Sequence, residues 1–496
     1  MKKILKSVLK GVNILKIIGD TEYSYGKLIN GIYINSKNVK YNTIFVANKG
    51  INTNGNFFIE EAICNGANVI ICEKPPVFIH KNITYIIVND STEALGIISS
   101  NYYNNPTNKI NLIGITGTNG KTTVAVILHK LFSFLGEKNV LISTIGIRIL
   151  SNEYSTEYTT PNIIDINKYL YLSIKKGCKY AFMEVSSHGI HQKRIFGLFF
   201  KGAVFTNITH DHLDYHKSFN NYLSIKKNFF NKLSKKSFSI INIDDKNYSK
   251  IIKDSINKIY FYGIKNKNSD FKLKILNKSF DGTKIIIDNN KININLIGTF
   301  NAYNILASYA TSVLLGIDKK IILKNLSLLN PIVGRFDQYI SKCGKRIIID
   351  YAHNPNGLKN IIDSVREIIK NINTNLICVI GCGGNRDVTK RSKMGKIIYE
   401  KCDISIFTSD NPRIENPSNI IMDMKKLISN KHKKSSIITI INRKKAINNA
   451  IKLSNKGDII LIMGKGHENY QEIKGIRYPF NDMDIVKNFF RKKNDY

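Results

Sequence analysis

The chain has 496 residues, 43% of them hydrophobic, and carries a formal net charge of +37. This length accommodates about three domains with buried cores. Because the lysines are spread along nearly every segment and form no single basic face, the charge does not indicate a nucleic-acid-binding protein. Abundant Ile, Asn and Lys with no Trp is instead typical of a bacterial genome rich in A+T codons.

The cysteines and the N-terminus bear on the cellular compartment. None of the seven cysteines forms a Cys-x-x-Cys pair, which predicts reduced core thiols in a cytoplasmic protein. Lys6, Lys10 and Lys16 interrupt any apolar core of a secretion signal. The apolar residues at positions 5, 8, 9, 12 and 15 share one helical face and predict an amphipathic helix. No apolar run has the roughly 20 residues that span a membrane, so no membrane insertion is expected.

Three α/β units follow one another along the chain. Short apolar segments between about residues 30 and 100 predict strands, with a helix at 57–67, and segment 101–109 is the expected linker. The second unit contains strands predicted in segments 141–146, 180–187, 202–209 and 238–245 and a hairpin at Asp281-Gly282. The third repeats strand, loop and helix, which favours parallel sheets with ligands at the C-terminal ends of strands. We predict domains at 1–105, 106–335 and 336–496.

Segment 114–124, GITGTNGKTTV, joins an apolar strand to a helix through a glycine-rich turn. Gly117 and Gly120 allow backbone N–H groups to surround an anion at the N-terminus of the helix. Lys121 would reach the β- and γ-phosphates of a nucleotide, and Thr122 would bind Mg²⁺. Ile115 replaces the first glycine of the full P-loop pattern, so the match is the shorter G-x-x-G-K-T. An ordinary turn is the alternative, but the order of strand, glycines and helix favours nucleotide binding.

Two later segments carry side chains suited to a metal ion. Glu184 ends an apolar strand, where a buried carboxylate requires a partner or a metal. His210, His212 and His216 share the next loop, which would otherwise be a solvated polar loop. A carboxylate and a histidine from neighbouring strand ends suit a divalent ion between substrate and nucleotide oxygens. Zinc is disfavoured because no thiolate or helical H-x₃-H pair accompanies them.

Seven motifs of the chain resemble those of the Mur ligases, ATP-dependent enzymes that add amino acids in peptidoglycan precursor synthesis. In chain order they are TGTNGKTT, MEVSSHG, TNITHDHLDYH, GTFNAYN, GRFD, DYAHNPNGL and GCGGNRD. The resemblance covers nearly the whole chain. It implies an α/β fold with a small N-terminal UDP-binding domain, a central P-loop ATPase-like domain with a parallel sheet and a C-terminal Rossmann-like domain. It also implies a cytoplasmic monomer that uses Mg²⁺ as cofactor, ATP as co-substrate and other small-molecule substrates.

The resemblance implies roles for individual residues. For ATP these are Gly117, Thr118, Asn119, Gly120, Lys121, Thr122, Thr123, Asn301, Asn304, Arg335, Asp350 and His353. For the UDP-muramoyl dipeptide they are Ser36, Thr159, Thr160, Ser186, Gln192 and Arg194. For the metal they are Thr122, Glu184, His212 and a carbamylated Lys226; the last three and Lys121 would be the catalytic residues. Asn35 and Lys37 depart from the usual Asp and Arg near uridine, and Asn442 from the usual Asp before Arg443.

The segment IFTSDNPRIENP concerns the amino acid that is added. It resembles the DNPR motif of family members that add meso-diaminopimelate, although a simple Asp-Asn-Pro turn is the alternative. The resemblance implies that diaminopimelate is bound by Arg386, Asp410, Asn411, Pro412, Arg413, Gly464 and Glu468. Arginine is scarce in this lysine-rich chain, and Arg413 can pair with the second carboxylate of diaminopimelate, which lysine lacks.

The implied reaction transfers the γ-phosphate to the D-glutamyl carboxylate of the muramoyl dipeptide, and an amine then attacks the acyl phosphate. Addition of L-lysine is the near alternative. A folylpolyglutamate synthetase lacks a domain like residues 1–100, and a P-loop ATPase acting on nucleic acid requires a focused basic face. A binding-only descendant would not be expected to keep Lys121, Glu184, His212 and Lys226 together.

Overall fold

The computed structural model describes residues 1–19, 24–50, 53–370, 372–428 and 435–491. Three large sheets succeed one another along the chain, each covered by helices, which confirms the predicted α/β class. No helix within these residues is both long and apolar enough to cross a membrane. All seven cysteines are unpaired, and those at positions 72, 178, 378, 382 and 402 are buried as expected.

The first sheet has the spatial order β2-β7-β6-β5-β4. Its strands are β2 (Ile14–Gly19), β4 (Ile32–Tyr33), β5 (Thr43–Val46), β6 (Ala67–Cys72) and β7 (Thr84–Val88), and a small ribbon pairs β1 (Lys3–Ile4) with β3 (Leu28–Ile29). The helices are α1 (Leu5–Val8), α2 (Ile59–Cys64) and α3 (Ser91–Tyr102). The helix α3 and the 3₁₀ turn Pro106–Asn108 occupy much of the segment 101–109 that was expected to be a linker.

The predicted amphipathic helix at the N-terminus is wrong beyond its first turn. Helix α1 ends at Val8, and Gly11 then adopts a φ of +82°, a conformation that does not continue a helix. Leu15 lies instead on the edge strand β2, which pairs antiparallel with β7. The ladder of backbone hydrogen bonds with β7 therefore outweighs the local helical periodicity.

The central sheet has the order β11-β10-β9-β12-β8-β13-β14-β15-β16-β17-β18. Its strands are β8 (Asn111–Thr116), β9 (Asn139–Ser143), β10 (Gly146–Ile149), β11 (Asn152–Tyr154), β12 (Tyr180–Glu184), β13 (Gly202–Phe205), β14 (Phe238–Asn242), β15 (Lys258–Gly263), β16 (Phe271–Ser279), β17 (Gly282–Ile287) and β18 (Asn290–Ile294). The run β9-β12-β8-β13-β14-β15 is parallel. The predicted hairpin is confirmed, since β16 and β17 pair antiparallel around Asp281.

Helices cover both faces of this central sheet. They are α4 (Lys121–Phe134), α5 (Ile163–Lys175), α6 (Ser187–His191), α7 (Leu213–His216), α8 (Phe219–Asn231), α9 (Tyr248–Ile252), α10 (Thr299–Leu314) and α11 (Lys319–Leu326). Helix α4 packs against α10 over one face, where its residues from Val124 to Leu128 are fully buried. Its side chains are apolar on nearly every side because the sheet and α10 together enclose it.

The third sheet has the order β19-β20-β24-β21-β22-β23, and all its neighbours after the first pair are parallel. Its strands are β19 (Asp337–Ile340), β20 (Arg346–Asp350), β21 (Leu376–Ile380), β22 (Ile404–Phe407), β23 (Ser436–Thr439) and β24 (Ile459–Met463), with a separate hairpin β25 (Tyr470–Ile473) and β26 (Ile476–Pro479). The helices are α12 (Pro355–Ile368), α13 (Thr389–Lys401), α14 (Pro417–Lys425), α15 (Arg443–Leu453) and α16 (Asp482–Arg491).

Candidate active site

The C-terminal ends of the parallel strands in the second and third sheets face each other across one cleft of about 1300 Å³. Loops after β8, β12, β13 and β14 form one wall, and loops after β20, β21, β22 and β24 form the other. Loops at strand C-terminal ends are the usual ligand-binding sites of open parallel sheets. Most of the residues predicted for ATP, metal, dipeptide and amino acid line this cleft.

Two glycines set the shape of the loop 117–120. At Gly117 φ is +148°, and a Cβ would lie 1.9 Å from the Thr206 hydroxyl oxygen. At Gly120 φ is +90°, and a Cβ would lie 2.5 Å from the Asn304 side-chain oxygen. Neither position can therefore hold a larger residue unless Thr206 or Asn304 moves.

The strand end after β13 braces this loop. The Asn207 carbonyl accepts a hydrogen bond from the Thr118 N–H at 2.8 Å, and its side-chain oxygen accepts one from the Asn119 N–H at 3.0 Å. The first intrahelical bond of α4 runs from the Val124 N–H to the Gly120 carbonyl. The N–H groups of the preceding first turn are therefore free of helical partners and suit an anion.

Lys121 lies over this loop. Its ammonium donates hydrogen bonds to the carbonyls of Gly117 and Thr118 at 3.0 and 2.9 Å. Desolvation in the cleft lowers the pKa of Lys121, and the carboxylates of Glu184 and Asp211 oppose that shift. A nucleotide phosphate could replace the two carbonyls as the acceptor for this ammonium.

Glu184 is buried at the end of β12, as its sequence position predicted. Its carboxylate accepts hydrogen bonds from the Thr144 N–H at 2.9 Å and from the Thr122 hydroxyl at 3.1 Å. The Arg335 guanidinium donates to the same Thr122 hydroxyl at 3.2 Å. Burial raises the pKa of Glu184 despite the nearby Lys121 and these hydrogen bonds. A carboxylate of this kind would be stabilised by a cation in the cleft.

The loop after β13 joins the central domain to the third sheet. His212 has a left-handed backbone, with φ +55°, and desolvation in the cleft lowers its pKa although Asp211 opposes this shift, which favours the neutral ring that can ligate a metal. Asp211 lies 3.6 Å from the Lys390 ammonium and accepts a hydrogen bond from Asn354 at 3.0 Å. Burial would raise the pKa of Asp211, but the Lys390 ammonium and the hydrogen bond from Asn354 hold it well below its usual range.

His210 and His216 serve other partners. The His210 ring lies 3.4 Å from the Asp387 carboxylate and 3.2 Å from the Thr389 hydroxyl of the third sheet's domain. The His216 ring hydrogen-bonds the Ser187 hydroxyl at 2.9 Å, and burial lowers its pKa to about 4. Of the three predicted histidines, His212 therefore lines the cleft, and the other two hold neighbouring segments in place.

Across the described ranges, no three His, Cys, Asp or Glu side chains are placed to hold a metal ion by themselves. Thr122 and Glu184 nevertheless present oxygen atoms beside the loop 117–120, the candidate phosphate-binding loop, and His212 presents a ring nitrogen. Mg²⁺ is usually bound by one or two carboxylates together with phosphate oxygens and water, so this donor set fits Mg²⁺ beside a nucleotide.

Lys226 is buried on α8, with 1% of its surface exposed. Its ammonium donates to the Gly117 carbonyl at 2.9 Å and to the Thr116 hydroxyl at 3.2 Å, behind the phosphate-binding loop. Within the part of the chain that the structure describes, no carboxylate lies within ion-pair distance of it. Burial lowers the pKa of Lys226 well below its ordinary value, and Lys121 adds to this shift.

The residues predicted for the dipeptide form a connected group. Thr160 donates to the Glu184 carbonyl at 2.9 Å, and its carbonyl accepts from Arg194 at 2.9 Å. The Arg194 guanidinium stacks 4.2 Å from the centre of the Tyr158 ring. The members that line the cleft are Thr159, Ser186, Gln192 and Arg194, whereas Thr160 supports them from behind. Ser36 lies outside the cleft, and its hydroxyl donates to Glu61 at 2.5 Å.

The residues predicted to bind the nucleotide likewise include some that line the cleft and some that support it from behind. Asn304 lines the cleft beneath the loop 117–120, and Asn301 accepts its hydrogen bond from behind at 3.1 Å. Asp350 is buried, and it accepts hydrogen bonds from the Phe336 and Ala352 N–H groups, both at 2.7 Å. His353 lines the cleft, and burial lowers its pKa to about 4.

Sequence reasoning missed several residues that line this cleft. Tyr303 donates a hydrogen bond to the Asp244 carboxylate at 2.8 Å beside Asn304. Lys390 and Asp211 face each other between the two walls. Tyr303 lies within the motif GTFNAYN and Asp211 within TNITHDHLDYH, so those motifs contained the signal for two of them.

The predicted amino-acid residues meet at the far end of the cleft. Arg386, Asp410, Asn411, Arg413, Gly464 and Glu468 all line it, and Pro412 does not. Arg413 has a left-handed φ of +54°, and its guanidinium donates to the Gly384 carbonyl at 2.6 Å. Glu472 lies 3.3 Å from the Arg413 Nε, so this guanidinium already has one carboxylate partner. The Arg413 Nη2 has no hydrogen bond within the described ranges and could bind a ligand carboxylate.

A nucleotide held by the loop 117–120 could activate a carboxylate for attack by an amine bound near Arg413, because both loops open into the same cleft. This division of tasks defines the class of the ATP-dependent amide-bond-forming ligases. Three family models match the chain: "Mur ligase family, catalytic domain" at residues 28–103, "Mur ligase middle domain" at 115–312 and "Mur ligase, glutamate ligase domain" at 334–466. The chain belongs to the Mur ligase family, which confirms the predicted family.

Its relatives are similar over their full length. A UDP-N-acetylmuramoyl-L-alanyl-D-glutamate–2,6-diaminopimelate ligase from Phocaeicola vulgatus is 44% identical, over 98% of this chain and 99% of its own. A protein of the same name from Clostridium tetani is 38% identical over 97% and 98%. A solved structure with this name superposes with a TM-score of 0.68 at 28% identity and covers 100% of both chains.

A folylpolyglutamate synthase from Mycobacterium tuberculosis shares the fold. Its solved structure superposes with a TM-score of 0.59 at 16% identity, over 74% of this chain and 91% of its own.

Substituting Gly117 by Ala is expected to weaken ATP binding roughly tenfold or more, because the added Cβ meets Thr206 and strains the loop. The measurement is a titration with a fluorescent ATP analogue. Gly136→Ala is the matched control, since Gly136 also has a positive φ, +75°, but a Cβ there meets nothing within 4 Å. Equal affinities for the two variants would contradict the role of the loop.

Proposed function

We propose that the protein is the ligase that joins meso-diaminopimelate to the D-glutamyl carboxylate of UDP-N-acetylmuramoyl-L-alanyl-D-glutamate, at the expense of ATP, in peptidoglycan precursor synthesis. The observation that carries this proposal is that the phosphate-binding loop and the loop containing Arg413 face one cleft. The diaminopimelate-adding relatives at up to 44% identity support the choice of substrate. Addition of L-lysine is the second candidate.

The chemistry follows from the two walls of the cleft. Lys121 and the first turn of α4 would hold the β- and γ-phosphates, so that the γ-phosphate faces the incoming D-glutamyl carboxylate. Attack by a carboxylate oxygen on the γ-phosphorus forms the acyl phosphate and releases ADP. The amine then attacks the acyl carbon, a proton leaves the nitrogen, and collapse of the tetrahedral intermediate expels phosphate and leaves an amide.

The metal-facing residues would act together with the phosphates. Thr122, Glu184 and His212 would hold Mg²⁺, which supplies positive charge to the phosphate oxygens during transfer. The Arg335 guanidinium, which donates to the Thr122 hydroxyl from the hinge before β19, would keep this hydroxyl in place while the third sheet's domain closes on the nucleotide. Closure would also exclude water from the acyl phosphate.

Lys226 would act as a carbamate. Its buried amine has a lowered pKa and no acidic partner among the described residues, so the neutral form can add to CO₂. The nitrogen lone pair attacks the carbon, one proton is lost, and the product is an anionic N-carboxylate. That anion would balance the positive charge of Lys121 and of the metal near the phosphate-binding loop.

The remaining expectations complete the proposal. The dipeptide would be held by Ser36, Thr159, Thr160, Ser186, Gln192 and Arg194, and the nucleotide also by Asn301, Asn304, Asp350 and His353. The domains would divide at 1–105, 106–335 and 336–496, close to the limits of the three sheets. We further infer a cytoplasmic location, which the unpaired cysteines support, and a monomer, which rests on the family resemblance alone.

ATP turnover is expected to require both the muramoyl dipeptide and Mg²⁺, because phosphate transfer needs its acceptor carboxylate and its charge-neutralising ion. The measurement is the release of inorganic phosphate in the complete mixture and with each component omitted. Equal phosphate release without the dipeptide would exclude the ligase.

Lys226→Ala is expected to lower kcat by about 10² or more, since the anionic carbamate is lost from the site. Small carboxylates or other short-chain acids should restore part of the activity by replacing the carbamate. Lys227→Ala is the matched control, because the neighbouring Lys227 pairs with Asp254 at the surface. A wild-type rate for Lys226→Ala would refute the role of the carbamate.

Meso-diaminopimelate is expected to be preferred over L-lysine by on the order of 10³-fold in kcat/KM, because only diaminopimelate has a second carboxylate, which can bind the Arg413 Nη2. Arg413→Ala should remove most of this preference. The measurement is kcat/KM for both amino acids, with Arg491→Ala, an exposed arginine of α16, as control. Similar rates with both amino acids in the wild-type protein would favour the lysine-adding alternative.

A further inference from the structure

Lys465 is a fully buried cation directly behind the amino-acid end of the cleft. None of its surface is exposed, and it does not line the cleft itself. Its ammonium donates hydrogen bonds to the Glu468 carboxylate at 2.8 Å and to the Asn411 side-chain oxygen at 3.0 Å. The Tyr470 ring centre lies 5.5 Å from the same ammonium. A lysine buried to this degree requires such partners.

The charged groups around Lys465 carry one more negative charge than positive charge. Asp410 and Glu468 both line the cleft, and Lys465 is the cation in contact with both. The other buried cation nearby, Arg443, is neutralised by Asp482 at 2.7 Å. Two carboxylates and one ammonium give a net charge of −1, which matches one ammonium group of a ligand.

Among the described residues, Oδ1 of the Asp410 carboxylate accepts no hydrogen bond. Asp410 is only 6% exposed, and its Oδ1 lies 3.5 Å from the Lys465 ammonium, an ion pair too long for a good hydrogen bond. A buried carboxylate oxygen without a donor is unfavourable and suits a donor from a ligand. Gly464 leaves room beside the other oxygen of Asp410, Oδ2, because a Cβ there would lie 2.8 Å from it.

The Glu468 carboxylate is stabilised directly by the Lys465 ammonium, which donates a hydrogen bond to it. Burial and the Asp410 carboxylate raise the pKa of Glu468, and Lys465 and Asn411 oppose that shift. Without Lys465 the two carboxylates would repel each other, and one of them would take up a proton. Asn411 would also lose the donor that orients its side-chain oxygen, which accepts the Glu472 N–H at 2.9 Å as well.

We propose that Lys465 is a positioning residue for amino-acid selection: it orients Asn411 and Glu468 and neutralises one of two carboxylates, so that the site accepts one ammonium of the incoming diamino acid. This inference rests on the proposed function, since it assumes that a diamino acid enters this end of the cleft. It assigns a task to a side chain that touches neither the nucleotide nor the reacting carboxylate.

The test separates amino-acid binding from the earlier phosphate transfer. Lys465→Met is expected to raise the KM for meso-diaminopimelate on the order of 30-fold or more, because a buried charge pair is broken. Acyl phosphate formation, trapped with hydroxylamine in the absence of amino acid, should stay within about twofold of wild type. Lys445→Met is the control, since Lys445 is exposed on α15.

A double-mutant cycle with Glu468→Gln distinguishes a positioning role of Lys465 from a general loss of folded structure in the Lys465→Met variant. Lys465→Met combined with Glu468→Gln restores the net charge of −1, so the KM of the double variant should rise much less than the product of the two single effects. The double variant also provides the test in the case that Lys465→Met alone loses acyl phosphate formation. Recovery of acyl phosphate formation in the double variant would support the inference, and its continued loss would overturn it.

Two further outcomes would overturn it in different ways. An unchanged KM in Lys465→Met, or multiplicative effects in the double variant, would overturn the role of Lys465 and leave the proposed function intact. Failure of the wild-type protein to use meso-diaminopimelate at all would overturn the proposed function and, with it, this inference.

Discussion

The parallel pairing of β12, β8 and β13 is the constraint on which the site depends. Gly114 of β8 lies opposite Met183 of β12 and Ala203 of β13, so the three strands end at the same level. The phosphate-binding loop, Glu184 and the bracing Asn207 therefore enter the cleft side by side. A slip of one residue between β12 and β8 would turn Glu184 away from the loop, because successive side chains of a strand point to opposite faces.

The same cleft contains several buried charged groups, and neighbouring residues form ion pairs or hydrogen bonds with them. Asp211 is held between His212, Asn354 and Lys390, and Glu184 receives hydrogen bonds from Thr122 and Thr144. Such groups destabilise a fold unless they are paired, so their retention indicates a site in which charge has a task. Lys226 differs, since its ammonium contacts a carbonyl, a hydroxyl and the face of the Tyr222 ring, and no carboxylate of the described residues pairs with it.

Contacts between the two walls give the third domain a part in nucleotide chemistry. Asn354 donates to the side-chain oxygen of Asn119 at 2.9 Å, and Arg335 reaches Thr122 at 3.2 Å. The phosphate-binding loop is thus touched by residues more than 200 positions away in sequence. Binding of the nucleotide and closure over the amino acid would be coupled through these hydrogen bonds.

Local sequence signals determined much of this protein. The α/β class, the strand–loop–helix order, the phosphate-binding loop and the position of Glu184 at a strand end could be predicted, because these features depend on neighbours within about ten residues. The seven motifs determined the family and therefore most of the residues that line the cleft. The N-terminal helix was wrong beyond Val8, since pairing with a strand some 70 residues later outweighed its periodicity.

Only the tertiary structure decided which candidates face the cleft and which support them from behind. Ser36, Thr160, Asn301 and Lys226 have polar side chains like their neighbours, yet each is directed toward another part of the protein. The partnership of Arg413 with Glu472 and the burial of Lys465 between Asn411 and Glu468 were likewise invisible in the sequence. Burial and pairing depend on which distant segments meet, and the periodicity of a single segment contains no information about the segment that covers it.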